Sequence, residues 1–227
     1  MSKYGIVVND TTGLGSTSAQ IGGAGTALWK MLMNGTHLVG PYNCVEYVVL
    51  PPDSSVGIHT HQRTEEIYYI ISGSPVMSIN GEERGCRAGD LITAPIGTRH
   101  GIRNAGPDDV EFFVVEVFPG AGPSGAVLHV NLEDRDAERR VPLSEVLSGG
   151  WKFVECLEID AGRDVDLGST EDSEILFILD GSAEISVHDS SFDAGRGFAL
   201  ASPPDHGRRI RATDEGQVHA IRLAVAA

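Results

Sequence analysis

The chain reads as an all-β protein built of two similar barrels in tandem. Short runs rich in Val, Ile, Phe and Tyr alternate with Gly, Pro, Asn and Asp, and hardly any stretch shows the 3.6-residue period of a helix. The second half also repeats the first, since an offset of 108 residues lays Glu174 on Glu66, Ile175 on Ile67, Ile178 on Ile70 and Gly181 on Gly73. A length of 227 residues is enough for one large or two small domains, each with a real core.

Residues 1–26 are rich in Gly, Ser and Thr and read as an N-terminal arm, ordered or swapped. The run Gly13-Leu14-Gly15-Ser16-Thr17 lacks the Gly-Lys-Ser/Thr ending and the βαβ setting of a phosphate loop. A first barrel is expected over residues 27–118. Residues 27–33 are apolar nearly all round and read as a strand rather than a short helix, and residues 44–50 form a second strand stopped by Pro51-Pro52. Asn80-Gly81 is the dipeptide that best supports the positive-φ turn of a hairpin. Residues 110–118 make a strand ended by Pro119-Gly120. Residues 119–150 read as a linker with a mixed-charge stretch and one helical turn at residues 142–147. A second barrel is expected over residues 151–227, with residues 153–159 corresponding to the strand at 44–50.

The chemistry concentrates between Gly57 and Asn104. His59 and His61 are two residues apart, so on a strand both imidazoles share a face and form a chelating pair. Glu66 opens the next strand, which Gly73 ends, so its carboxylate folds back toward the histidines; His100 follows further on. Three imidazoles and one carboxylate suit a borderline divalent metal such as Fe, Mn, Ni, Co or Zn.

These residues resemble the two motifs of the cupin superfamily. The pattern H-x-H-x4-E-x6-G is met by His59, His61, Glu66 and Gly73, and G-x5-P-x-G-x2-H-x3-N by Gly89, Pro95, Gly97, His100 and Asn104. The first motif departs at its leading glycine, because Gly57 lies closer to the histidines than the pattern has it, and Ser54 or Ser55 would fill that turn. The resemblance implies two tandem jelly-roll (double-stranded β-helix) barrels, with one divalent transition metal, iron first, held by His59, His61, Glu66 and His100. In the second half the chelating pair is replaced by Leu167 and Ser169. Two registers compete beyond it: the 108 offset puts Arg208 where His100 stands, while an offset of 106 matches His206-Gly207 to His100-Gly101. In either register at most Glu174 and His206 survive, so this barrel is expected to be degenerate and metal-free.

A six-coordinate metal with four protein ligands keeps about two positions for water, substrate or O2, an enzyme's arrangement. Among metal-binding cupins with two barrels, the resemblance points first to dioxygenases of the flavonol-cleaving kind, acting on an aromatic or polyketide-like metabolite. There Glu66 serves as ligand or, when displaced, as a base. Tyr68 shares the face of Glu66 by the period of two and is the catalytic residue named beside it, to bond the substrate or to wall the pocket with Ile70 and Ile102. A non-redox cyclase or isomerase of secondary metabolism is the alternative, with the metal acting on a carbonyl, and a binding or sensor module is a third. Decarboxylation of a small diacid would need a further carboxylate, and Glu65 points to the opposite face from Glu66.

A formal charge of −15 argues against binding to nucleic acid backbones or anionic membranes. No apolar run is long enough to span a bilayer, and the start does not resemble a signal peptide. Three scattered cysteines, Cys44, Cys86 and Cys156, fit a reduced compartment and buried packing. The expectation is a soluble, cytoplasmic protein whose partners are a small-molecule substrate and, as an open alternative, a second copy in a homodimer. His37, His129, His188 and His219 are read as solitary, and Arg63, Arg99 and Arg103 as strand ends or a rim for an anionic group.

Overall fold

The computed structural model describes residues 5–122, 125–134, 139–213 and 215–227. They form two tandem jelly-roll barrels, each a large sheet closed by a smaller one of four strands. In the first, seven strands lie in the order His129–Asn131, Asp90–Ala94, Glu65–Ser72, Val110–Val117, Tyr42–Leu50, Thr26–Asn34 and Gly15–Ser18. Its small sheet runs Ser55–Thr60, Arg99–Arg103, Val76–Ile79 and Glu82–Gly85. The second barrel pairs a six-stranded sheet, centred on Asp172–Asp180 and Val218–Ala226, with Asp164–Gly168, Arg208–Ala212, Ala183–Val187 and Ser190–Ala194.

The apolar runs that announced these strands lack clean alternation because both faces of the large sheets are buried. Val48, Leu50, Tyr68, Ile70, Phe112 and Val114 point into the first barrel. Their neighbours Val45, Tyr47, Val49, Ile67, Tyr69, Phe113 and Val115 point the other way and pack on Trp151, Phe177, Ile221 and Leu223 of the second barrel. Two large sheets thus lie face to face, and the largest apolar cluster sits between the barrels rather than inside either. Phe113 and Phe177 meet there with ring centroids 5.0 Å apart, and Arg196 reaches across to Glu111 at 2.8 Å.

Turn chemistry follows the sequence at the hairpin. Asn80 and Gly81 both adopt positive φ between Val76–Ile79 and Glu82–Gly85, the geometry whose twist matches the flanking strands. From residue 5 onward the N-terminal arm spans both barrels. Val7–Asn9 adds an edge strand against Ala199–Ser202, and Gly15–Ser18 pairs with Thr26–Asn34. The stretch 119–150 carries two short strands: His129–Asn131 extends the first barrel's sheet beside Asp90–Ala94, and Arg140–Pro142 pairs with Trp151–Ile159. Within residues 142–147, Leu143 to Leu147 make a single turn closed by the Leu147 N–H donating to Leu143 O at 2.9 Å. Glu65, fully buried, fastens this stretch by accepting from the Ser148 N–H and hydroxyl and from the Gly149 N–H.

Strand pairing decides between the two registers. Glu174 faces Ser202 as Glu66 faces Ala94, and Arg208 faces Val187 as His100 faces Ile79, so the 108 offset holds and Arg208 occupies the place of His100. His206 lies outside the barrel strands, its Nδ1 at 2.8 Å from Pro204 O and its ring edge-on to His188. A bulge shifts the preceding strand by one residue, so Gly168, not Leu167, sits opposite Arg208 as His59 sits opposite His100.

Candidate metal centre

His59 is the penultimate residue of the strand Ser55–Thr60, and His61 follows that strand directly. Glu66 lies on Glu65–Ser72 in the facing sheet, and His100 on Arg99–Arg103 beside His59. The four ligand atoms come within 4.8 Å of one another at one end of the barrel interior. Glu66 and His100 are almost wholly buried, at 2% and 1% exposure, and the other two histidines are half-buried.

Each imidazole is oriented by its Nδ1. His59 Nδ1–H donates to Gly57 O at 2.8 Å and His100 Nδ1–H to Thr98 O at 3.1 Å; a carbonyl only accepts, so the proton sits on Nδ1 in both rings. Thr64 spends its hydroxyl hydrogen on Glu116 Oε2 at 3.0 Å and therefore accepts from His61 Nδ1–H at 2.8 Å. Asn43 Nδ2 holds Glu116 from the other side at 2.8 Å. All three Nε2 lone pairs are left pointing inward.

That convergence lacks a fixed positive partner among the described residues. His59 Nε2 and His61 Nε2 face each other at 2.9 Å, both as acceptors. Glu66 Oε1 lies 3.6 Å from His61 Nε2 and in contact with His100 Nε2, yet neither Glu66 Oε1 nor His100 Nε2 has a partner in hydrogen-bonding geometry. Burial pulls the His59 pKa down. Burial also opposes the charged form of His100, but the Glu66 carboxylate outweighs it and the net shift is upward. Three tautomer-locked imidazoles, one carboxylate and two orphaned buried atoms fit a divalent cation at their centre.

The site opens into a cavity of about 190 Å3. Trp29, Val48, Val56, Phe112 and Val114 form its apolar wall; Ile70 and Ile102, expected there, are fully packed in the core and do not line it. Tyr68 does line it. Burial, and then the Glu66 carboxylate, hold its phenol protonated well above the ordinary tyrosine range. Arg63, Arg99 and Arg103 form no rim to this cavity: Arg103 pairs with Glu83 at 3.0 Å and Arg63 lies over Phe118.

Two carboxylates missed in the sequence share the cavity. Glu46 and Glu116 lie on the inward faces of Tyr42–Leu50 and Val110–Val117. Burial first, then Glu116 and Glu66, raise the Glu46 carboxyl to about 7. A signal was available, because each is a lone acid at an inward position of an otherwise apolar strand. Gln20 and Ile21 of the N-terminal arm also line the cavity and were likewise missed. His129 is not solitary: its Nε2 sits 2.9 Å from Asp90 Oδ2, with the Cys86 thiol nearby. Cys44, Cys86 and Cys156 are free and buried, and burial lifts the Cys86 and Cys156 thiols to about 11, which makes them packing groups rather than nucleophiles.

Comparisons with known proteins agree with this architecture. Residues 46–116 match the cupin domain family. An oxalate-binding protein of Thermotoga maritima is 46% identical over 66 residues, covering 29% of this chain and 54% of that protein. The tetracenomycin polyketide synthase protein TcmJ of Streptomyces glaucescens is 32% identical over 87 residues, 38% of this chain and 57% of that one. The chain spans about half the length of the curated relatives it matches. Among solved structures, the protein Ylba from E. coli superposes over 100% of this chain and 93% of its own with a TM-score of 0.79 at 15% identity, a likeness of fold. No described helix is long and apolar enough to cross a membrane. The first barrel thus carries a cupin domain over residues 46–116, and a second barrel of like fold follows it.

Proposed function

We propose that this protein is a metal-dependent enzyme that moves a proton beside a carbonyl in a neutral, oxygen-bearing small molecule, the chemistry of a cyclase or isomerase. His59, His61, Glu66 and His100 are the ligands in this reading. One observation carries it: the cavity contains two further carboxylates, Glu46 and Glu116, and no described Lys or Arg lines it. A dianion entering there would meet negative charge with no cation beyond the metal, whereas a neutral carbonyl compound would not. The cavity is smaller than those of drug-sized ligands, roughly 300 Å3 and above, so it takes a small molecule or one end of a larger one.

A divalent ion held by the four ligands supplies a Lewis acid for the substrate carbonyl. Glu46 removes the proton on the adjacent carbon and returns it elsewhere, and a carboxyl near 7 is matched to both directions at neutral pH. A bound cation offsets the contribution of Glu66 to that shift but leaves burial, its largest cause. Tyr68 keeps its hydroxyl hydrogen and presents it to the substrate oxygen, while Trp29, Val48 and Phe112 exclude water. The apolar wall would serve a dioxygenase equally well, but Glu46 has a use only where a proton moves. The name of TcmJ, a polyketide synthase protein, fits a polyoxygenated neutral substrate.

Deuterium uptake by dihydroxyacetone in D2O, followed by NMR under argon with Zn-loaded protein, tests this reading. Exchange is expected with wild type and is expected to fall by about 10²-fold or more in Glu46→Gln at unchanged metal content. Catalysis that requires O2 and fails with Zn would return the assignment to a dioxygenase.

A further inference from the structure

The N-terminal turn over the cavity is held in place at a cost. Ala19 and Ile21 both adopt left-handed backbone, with φ of 51° and 49°, and for the β-branched Ile21 this is an outlier that persists only where surrounding contacts over-determine it. Those contacts are present. Ala19 N–H donates to Gly25 O at 3.0 Å, Gly22 N–H to Ala19 O at 2.9 Å and Gly23 N–H to Gln20 O at 2.9 Å, closing the turn on itself. Ser55 then clamps it to the small sheet, its N–H donating to Ala24 O at 2.9 Å and its Oγ accepting from Ala24 N–H at 2.8 Å.

The fit between turn and barrel admits no side chain. A Cβ on Gly23 would lie 2.2 Å from Ser55 O, and one on Gly57 would lie 2.2 Å from Ile21 O. This explains why Gly57 stands nearer the histidines than the family pattern places its leading glycine. Gly57 also supplies the carbonyl that orients His59, so turn and candidate ligand share one backbone unit.

Between the two strained residues sits Gln20, which lines the cavity together with His59, His61 and Glu46. Its side-chain amide makes no hydrogen bond among the described residues, although the indole of Trp29 beside it is already committed to Thr17 Oγ1 at 2.8 Å. The other polar groups of the cavity are carboxylates, imidazoles with inward lone pairs, and the Tyr68 hydroxyl. Gln20 is therefore a neutral amide donor in a cavity otherwise lined by acids, imidazoles, a phenol and apolar groups.

We infer that Gln20 is a specificity-determining residue, carried by the turn at residues 19–25, which hydrogen-bonds an oxygen of the substrate distal to the carbonyl that approaches the metal. The inference rests on the carbonyl-substrate reading of the site and adds to it a second recognition point, so the preferred substrate carries oxygens at both ends. Strain at Ala19 and Ile21 is the means by which the arm presents this amide inward.

The experiment compares two probes that differ by one hydroxyl, dihydroxyacetone and hydroxyacetone, binding to Zn-loaded full-length protein by calorimetry. Wild type is expected to prefer dihydroxyacetone by roughly fivefold to tenfold, the worth of one hydrogen bond, and Gln20→Ala to bind both equally at unchanged metal content. Gln20→Met, which keeps length but carries no N–H donor, is expected to lose the preference as well. A preference that survives in Gln20→Ala, or wild-type protein that does not distinguish the probes or binds neither, overturns the inference. Discrimination by wild type without any proton exchange would instead count against Glu46 as base and leave Gln20 standing, so the two failures are distinct.

Discussion

The two barrels place carboxylates at the same positions and neutralise them in opposite ways. Glu66 and Glu46 of the first recur as Glu174 and Glu155 in the second, by matching strand pairings. In the second barrel His100 is replaced by Arg208, which bonds Glu174 at 2.6 Å, and Val114 by Arg222, which bonds Glu174 at 2.6 and 2.8 Å and lies 3.4 Å from Glu155. Gly168 stands where His59 does, and the Thr170 hydroxyl donates to Glu174 at 3.0 Å. Burying a carboxylate demands a positive partner, and the second barrel carries two within its own sequence. In the first barrel the partner has to come from outside, which leaves room for a cation and leaves Glu46 free to titrate. The same scaffold is thus a closed ionic core on one side and an open chemical site on the other.

Several substitutions would break or sharpen this contrast. The largest effect is expected at Glu174→Ala, which strands two buried guanidinium groups and is expected to cost about 3–5 kcal/mol in denaturant unfolding. Glu66→Ala in metal-free protein is expected to cost less than about 1 kcal/mol, because no described guanidinium depends on it. Equal losses would mean that both carboxylates are structural.

Transplanting the arginine is the next test. Val114→Arg copies Arg222 into the first barrel, and it is expected to lower metal loading by about tenfold or more through repulsion and occupied space, with the far-UV circular dichroism unchanged. Elemental analysis of purified protein reads the loading. Smaller again is Thr64→Ala, which removes the acceptor that orients His61; metal affinity is expected to fall about 10- to 100-fold in a chelator competition.

The mildest effect is on pH dependence. The Glu46 carboxyl is raised in the folded state, so the folded form of metal-free protein binds a proton that the unfolded chain releases between pH 4.5 and about 7. Stability is therefore expected to rise as pH falls through that window, and the rise is expected to vanish in Glu46→Gln. Turnover is expected to run the other way, because the ionised form is the proposed base, and to decline as pH falls through about 7. A denaturation series and a rate profile over the same buffers check both signs.

Much of the first barrel was legible in the amino-acid sequence. The His59–His61 spacing, Glu66 at the start of a strand, the Asn80-Gly81 turn and the proline stops are all local features, and a strand's period of two puts residues two apart on one face wherever the strand ends up. Other decisions belonged to tertiary structure alone. Whether His206 or Arg208 stands in the place of His100 depended on strand pairing, since a one-residue bulge before Gly168 is invisible in an ungapped comparison. That Glu46 and Glu116 face the candidate site rather than the neighbouring barrel followed from which side of a doubly buried sheet each strand presents. The reach of the arm from Val7 to Gln20 across both barrels was set by contacts between residues far apart in the chain. Local spacing determines what one strand can offer, but the partners it meets are chosen by non-local pairing, and in this protein that choice separates the site with room for a cation from the one that arginine fills.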